Sequence, residues 1–284
     1  MPNLNSNVTL SIAQTAQYVQ ERWTRDMQQP FDKTLQAAKL VQDRSGMVSG
    51  GGDMLRIPFT GAINARAKAA STDVTFDSAD GTPIVLNIDK HFYSAVRIED
   101  IAKVQSNYDL KTAFQVRMVE AVARQIDTDL LTLYTAAGTT VSGGAAVDDA
   151  DIISTVTTFD VANTPMSLRR GVIGSFTKGD LLGVNKYTAY DQTGKTGEAV
   201  SGDGLVSSVY DMDMYFSQNV VTATTGRNLF FHKSAINIAK QLAPKVEMEY
   251  RAAALATDCI LHTIYGVGIE RAASVIELTR TTAA

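Results

Sequence analysis

The chain has 284 residues, 45% of them hydrophobic and 20% charged, with a net charge of −4. This is the composition of an ordinary globular protein, long enough to bury a core without metal, and its single cysteine, Cys259, excludes an intrachain disulfide. The acidity argues against a protein clamped to nucleic acid by a basic stripe, no apolar run approaches the roughly 20 residues of a membrane span, and the first residues lack the features of a secretory signal.

Residues 9–29 predict an amphipathic helix. Ile12, Ala16, Val19, Trp23 and Met27 recur every three or four residues, and Gln14, Gln17, Gln20 and Gln28 fill the other side. Pro30 ends it, and a second helical stretch is expected from Asp32 to about Asp43. A lone short helix cannot bury its apolar stripe by itself. Trp23 must therefore pack on its own subunit or on a neighbouring copy.

Gly50-Gly51-Gly52 breaks the helical pattern, and short strand-like runs follow at Met54–Phe59, Val74–Phe76, Ile84–Ile88 and Phe92–Ile98. The Ala/Asn/Arg stretch between the first two runs is too poor in large apolar residues for a core strand. A long β-hairpin reaching away from the body is expected. Its charges are sorted: only bases from Met54 to Thr72 (Arg56, Arg66, Lys68), and only acids from Asp73 to Asp89 (Asp73, Asp77, Asp80, Asp89). An isolated hairpin is marginal in water, so one this long needs something to lie on.

The strongest helical pattern runs from about Asn107 to Thr135. Leu110, Phe114, Met118, Val122, Ile126, Leu130 and Leu133 form one face, and Glu120 and Arg124 are spaced for an exposed pair. At ~1.5 Å per residue this is a rod of roughly 40 Å. Gly138 to Gly144 is expected to be a flexible join. Next come a helix from Asp148 to Phe159, a strand from Arg170 to Phe176, a short helix from Gly179 to Lys186, a loop from Asp191 to Gly204 and a strand from Met212 to Ser217. Residues 139–227 hold 6 bases and 10 acids, which accounts for the whole net charge, and a solvated acidic face explains that. The last part predicts a strand at Asn228–Phe231, a helix at Ser234–Leu242 and strands at Val246–Ala256, Asp258–Arg271 and Val275–Leu278.

The patterns that carry chemistry are weak. Gly194-Lys195-Thr196 lacks the earlier glycine of a phosphate loop, since Ala189 stands there, and a polar loop follows it. The three histidines, His91, His232 and His262, show no metal-ligand spacing, and on an alternating strand Cys259 and His262 fall on opposite faces. No Gly-x-Ser-x-Gly elbow is present. Asp127 with Asp129, and Asp148 with Asp149 and Asp151, lie on a helix or at a helix start, where acids are solvated or favoured by the backbone dipole. No catalytic residue, cofactor site or metal site is assigned.

The order of elements is more informative. The stretch Asn87–Asp100 leads through Gln105–Asp109 into a long helix carrying Ala121–Asp127; Gly204–Ser217 and Ile264–Ala272 follow later. In this order they resemble the major capsid proteins of tailed bacteriophages, whose fold is shared with herpesvirus shells. The resemblance spans nearly the whole chain and implies an α+β fold. Residues 1–48 would be an N-terminal arm, 49–99 the extended loop with the first peripheral strands, and 100–138 the peripheral domain with its spine helix. Residues 139–227 would be the axial domain, and 228–284 would return to the peripheral domain.

By the same resemblance the chain would build pentamers and hexamers that close into an icosahedral shell around double-stranded DNA, in the virion, after assembly in the host cytoplasm. A portal, a separate scaffolding protein and a decoration protein would be its partners; no membrane is implied. Trp23, Arg56, Arg66, Lys68, Asp73, Asp77 and Asp80 are the expected inter-subunit contacts, with the three bases meeting acids of the adjacent copy. Two other readings stay open: a bacterial nanocompartment shell of the same architecture, and an α/β enzyme whose site leaves no sequence signature.

Overall fold

The computed structural model describes residues 35–59, 61, 63–77, 81, 83–105, 110–184, 205–222 and 225–281. The helix expected over residues 9–29 and the loop at 191–204 lie outside these residues. What remains of the second helical stretch is the short helix α1 (Ala37–Leu40), after which the chain turns extended as β1 (Gln42–Asp43). Strands β2 (Met54–Ile57) and β3 (Ile84–Asn87) pair antiparallel, from Met54 opposite Asn87 to Ile57 opposite Ile84. The expected hairpin is thus a ladder only at its root; Val74 and Phe76 belong to no strand among the described residues.

Strand β4 (Lys90–Glu99) leads into a short helix the sequence patterns did not flag, α2 (Asp100–Gln105), and then into the long helix α3 (Leu110–Leu131). The apolar spacing of α3 is used as expected. Met118, Val122, Ile126 and Leu130 are buried in one cluster with Ile236, Ile238, Cys259, Leu261 and Tyr265. Glu120 pairs back one turn with Arg117, at 3.0 Å.

The presumed flexible join contains a strand, β5 (Thr139–Ser142). Gly138 is there for close packing and not for mobility: a Cβ on it would sit 2.4 Å from the Ala272 carbonyl oxygen. Helix α4 (Asp149–Val161) begins with a capping box, Asp148 accepting from the Asp151 amide at 3.1 Å and Asp151 from the Asp148 amide at 3.0 Å. Strand β6 (Arg169–Ile173), helix α5 (Ser175–Leu182), β7 (Leu205–Val209), β8 (Met212–Phe216) and β9 (Thr225–His232) follow.

The helix expected at Ser234–Leu242 is instead a single 3-10 turn followed by β10 (Ile236–Arg251). Ile236 and Ile238 pack into one cluster and Ala239 into another, as alternating side chains of a strand do, and the long strand β11 (Ala256–Ile269) pairs with it. The last strand is β12 (Val275–Thr281).

Two sheets carry the fold. The first has the order β1-β10-β11-β4, and α3 lies on one of its faces. The second has the order β5-β12-β9-β6-β8-β7 and is covered on both sides. Leu229 and Phe231 of β9 point into the α3 cluster, while Phe230 between them points into a second cluster with Ile152, Phe159, Leu181 and Met212. Burial on both faces explains why Leu229-Phe230-Phe231 is a continuous apolar run instead of an alternation.

Candidate assembly surface

The hairpin is fixed at its root and bare at its tip. Leu86 and Ile88 are buried with Val48 and Ala239, and Leu55 packs against them. The approach to β11 is close enough that a Cβ on Gly266 would lie 2.1 Å from the Asn87 carbonyl oxygen. Beyond the root, Phe59, Ile63, Val74 and Phe76 are all exposed, Phe76 to 90%. No helix or sheet of the described chain covers them.

The sequence-predicted contact residues lie on this element, with two exceptions. Trp23 and Asp80 fall outside the described residues. Arg56 sits exposed on β2 opposite Val85, and Lys68 and Asp73 are exposed along the tip. Arg66 and Asp77 are brought together within one hairpin: the Arg66 guanidinium pairs with the Asp77 carboxylate and donates to the Thr75 hydroxyl at 2.8 Å, and the Asn64 amide donates to Asp77 at 3.1 Å. The sorting of bases and acids therefore has an internal use, which is to hold the two arms of the tip against each other.

A second apolar patch lies at one end of the first sheet. Ile101 and Val104 of α2 are exposed, Val104 to 84%, as are Tyr250 and Leu255 at the β10–β11 turn. The two elements are joined, since the Asp100 amide donates to the Leu255 carbonyl at 2.9 Å and the Tyr250 hydroxyl donates to the Asp100 carboxylate at 2.9 Å. Leu255 is held at φ +45°, a left-handed conformation unfavourable for a leucine, so its backbone is set by the tight turn. Sequence patterns gave no sign of this patch because α2 is too short to show a period.

The open face of the first sheet carries polar pairs beside exposed Tyr93 and Ile260. Arg97 forks onto Asp258 at 2.6 and 3.0 Å, and that guanidinium holds the carboxyl below its usual range. Lys245 meets Glu247 at 2.9 Å. Two of the three histidines, His91 and His262, lie side by side there, and sequence spacing could not show it because they come from different strands. Cys259 is buried on the opposite face from His262, as alternation requires.

Asp127 and Asp129 are not solvated, contrary to expectation. Both are buried and both bind inward. Asp127 accepts the Ala37 amide at 2.8 Å, tying α1 to the C-terminal part of α3, and Asn219 donates to it at 3.4 Å. Asp129 accepts the Tyr265 hydroxyl at 2.8 Å and pairs with Lys90 at 3.2 Å. The helical period carried a signal for Asp129, which stands three residues after Ile126 and seven after Val122, on the apolar stripe. These acids are structural ties between elements. Among the described residues no group of three or more metal-ligating side chains occurs, and no helix is long and apolar enough to cross a membrane.

No protein-family model and no curated protein matches the sequence. Solved structures do match. A chain of Mycobacterium phage Che8 superposes with a TM-score of 0.80 and 22% identity, over 92% of this chain and 97% of that one. A chain of the cyanophage P-SCSP1u capsid gives 0.77 and 19%, over 98% and 100%. A chain of the mature capsid of bacteriophage PhiM1 gives 0.75 and 14%, over 94% and 93%. The α+β fold of this chain is therefore one shared with phage capsid chains.

Proposed function

We propose that the chain is the major capsid protein of a tailed phage, a structural subunit that assembles with itself into pentamers and hexamers of an icosahedral shell. One observation supports this beyond the shared fold: the hairpin has a buried root and an apolar tip that the described residues of its own subunit leave in water. Fully burying a side chain such as Phe76 is worth about 1.5–3 kcal/mol. A subunit that leaves several such side chains uncovered gains that energy only on association. Association itself costs about 4–15 kcal/mol, so several modest contacts must act together, and a closed lattice supplies them by repeating heterologous interfaces.

Double-stranded DNA enclosed in the virion, a portal, a scaffolding protein and a decoration protein belong to the same proposal, as does assembly in the host cytoplasm. Its role is structural, and no catalytic step is assigned to it. A phage shell is preferred to a nanocompartment because the matched structures named above are those of phages. The test is sedimentation and electron microscopy of the full chain expressed in bacteria. Capsomers or closed megadalton shells are expected. A well-folded monomer at every salt and protein concentration overturns the proposal.

A further inference from the structure

His91 and His262 stand on β4 and β11 of the open face, and no part of the proposed assembly uses them. In the antiparallel register His91 is opposite Ile264 and His262 is opposite Tyr93, so the two imidazoles are diagonal neighbours on one side of the sheet. His91 Nε2 and His262 Nδ1 are 3.4 Å apart, with ring centroids at 5.6 Å and the planes inclined at 61°. That is long for a direct hydrogen bond, whose usual span is about 2.7–3.2 Å. It matches another geometry. Two imidazole nitrogens each at about 2.0–2.1 Å from a tetrahedral cation stand roughly 3.4 Å apart.

We propose that His91 and His262 form a solvent-open chelate for a borderline divalent cation, with Zn2+ as the representative. Imidazole nitrogen selects zinc, nickel or copper over the hard cations magnesium and calcium. The side chain behind the pair fits the role. Glu247 Oε1 of β10 is 4.0 Å from His262 Nε2, the ring nitrogen on the far side from His91. The carboxylate stands beyond hydrogen-bond reach and adds negative charge beside the pair, which favours a bound cation. Lys245, which lies opposite His262 on β10, is tied to the same Glu247 oxygen at 2.9 Å, so its ammonium is drawn toward the carboxylate. The remaining coordination positions are taken by water, which makes the site a labile one.

The other imidazole and the thiol offer little competition. The third histidine, His232, has its Nδ1 engaged with Ser234 at 2.9 Å, and Cys259 is buried on the other face. Isothermal titration of the full chain with zinc chloride, after removal of metal with a chelator, tests the proposal. Saturable uptake of one ion per chain is expected, lost in His91→Asn and in His262→Asn separately and kept in His232→Asn. Glu247→Gln, which removes the nearby negative charge, is expected to bind more weakly, by a margin that shrinks with added salt. Far-UV circular dichroism confirms that each variant remains folded. Absence of saturable uptake by the parent chain, or uptake unchanged in both the His91 and His262 variants, overturns it.

Discussion

The Tyr265 hydroxyl of β11 donates to the Asp129 carboxylate of α3 across 2.8 Å, and both side chains are buried. Lys90 of β4 reaches the same carboxylate oxygen at 3.2 Å, and Gln125 donates to the other at 2.9 Å. One carboxylate thus joins the long helix to two strands of the first sheet. Burial, with the neighbouring carboxylate adding to it, pushes the Tyr265 phenol far above its ordinary range, so it acts only as a neutral donor. Tyr265→Phe keeps the ring and removes the donor. The expected loss is about 1–3 kcal/mol, the cost of a buried acceptor deprived of one partner. Urea unfolding checks it: the midpoint falls with an unchanged slope, and an unchanged midpoint would show that Lys90 and Gln125 suffice.

Asp127 makes a prediction about pH. Burial raises its carboxyl above the ordinary aspartate value of 3.8, against the pull of the Ala37 amide and the Asn219 side chain. A folded-state value raised above the unfolded one means that the folded chain binds the proton more readily. Its stabilising contribution is complete below about 3.8 and is lost as pH rises through the higher folded value. Asp127→Asn abolishes this titration. The stability of the parent relative to the variant is therefore expected to increase as pH falls from neutrality toward 4, whatever the other carboxylates common to both proteins do. Denaturant titrations of both proteins at several pH values give the difference directly. A difference that is flat, or that falls toward acid, contradicts the assigned direction.

The parts of the fold that could be read in the sequence are those where a period was long enough to count. The α3 stripe from Met118 to Leu130 is one, and the alternation of Cys259, Leu261, Thr263 and Tyr265 along β11 is another. Where a segment was short or its partner distant, the local pattern misled. Ser234–Leu242 suits a helix by composition, but the pairing with β11 from Ile236 opposite Ile269 onward overrides that preference. The α5 helix was expected four residues late, starting at Gly179, because its N-terminus is set by Gly174, whose amide is held by Asn228 at 2.9 Å from a different sheet strand. The hairpin was legible as a charge-sorted extension without a core of its own. The pairing of Arg66 with Asp77 inside it was not, since equal sorting of charge also suits a contact with a neighbour. His91 and His262 needed the strand register to come together.

Gly266 tests whether the hairpin root is anchored where the geometry places it. A methyl group at this position would collide with the backbone of Asn87 at 2.1 Å, and a backbone atom cannot give way as the end of a side chain can. Gly266→Ala is therefore expected to displace β3 from β11 and to free the hairpin while the two main clusters stay packed. Limited proteolysis should show cleavage between residues 58 and 83 becoming faster, with a destabilisation of about 1–3 kcal/mol, as for overpacking. Equal cleavage rates in parent and variant would mean that the root does not rest on this contact.

Association and folding make opposite demands on Phe76, and this separates them experimentally. At 90% exposure the ring adds almost nothing to the stability of the subunit, so Phe76→Ser should leave the unfolding midpoint within about 0.5 kcal/mol of the parent. If a neighbouring copy covers the tip, the same change removes up to about 1.5–3 kcal/mol from each contact, and a lattice multiplies that loss over every repeated interface. Shell yield by sedimentation should then collapse. The bases act differently. Reversal of Arg56, Arg66 and Lys68 to glutamate alters exposed pairs worth about 0.2–1 kcal/mol each, so its effect should be smaller and should diminish with added salt, whereas the Phe76 effect should not. Shells formed at parental yield by Phe76→Ser would mean that the tip stays bare in the assembled particle, and the hairpin would have to be withdrawn as an assembly element.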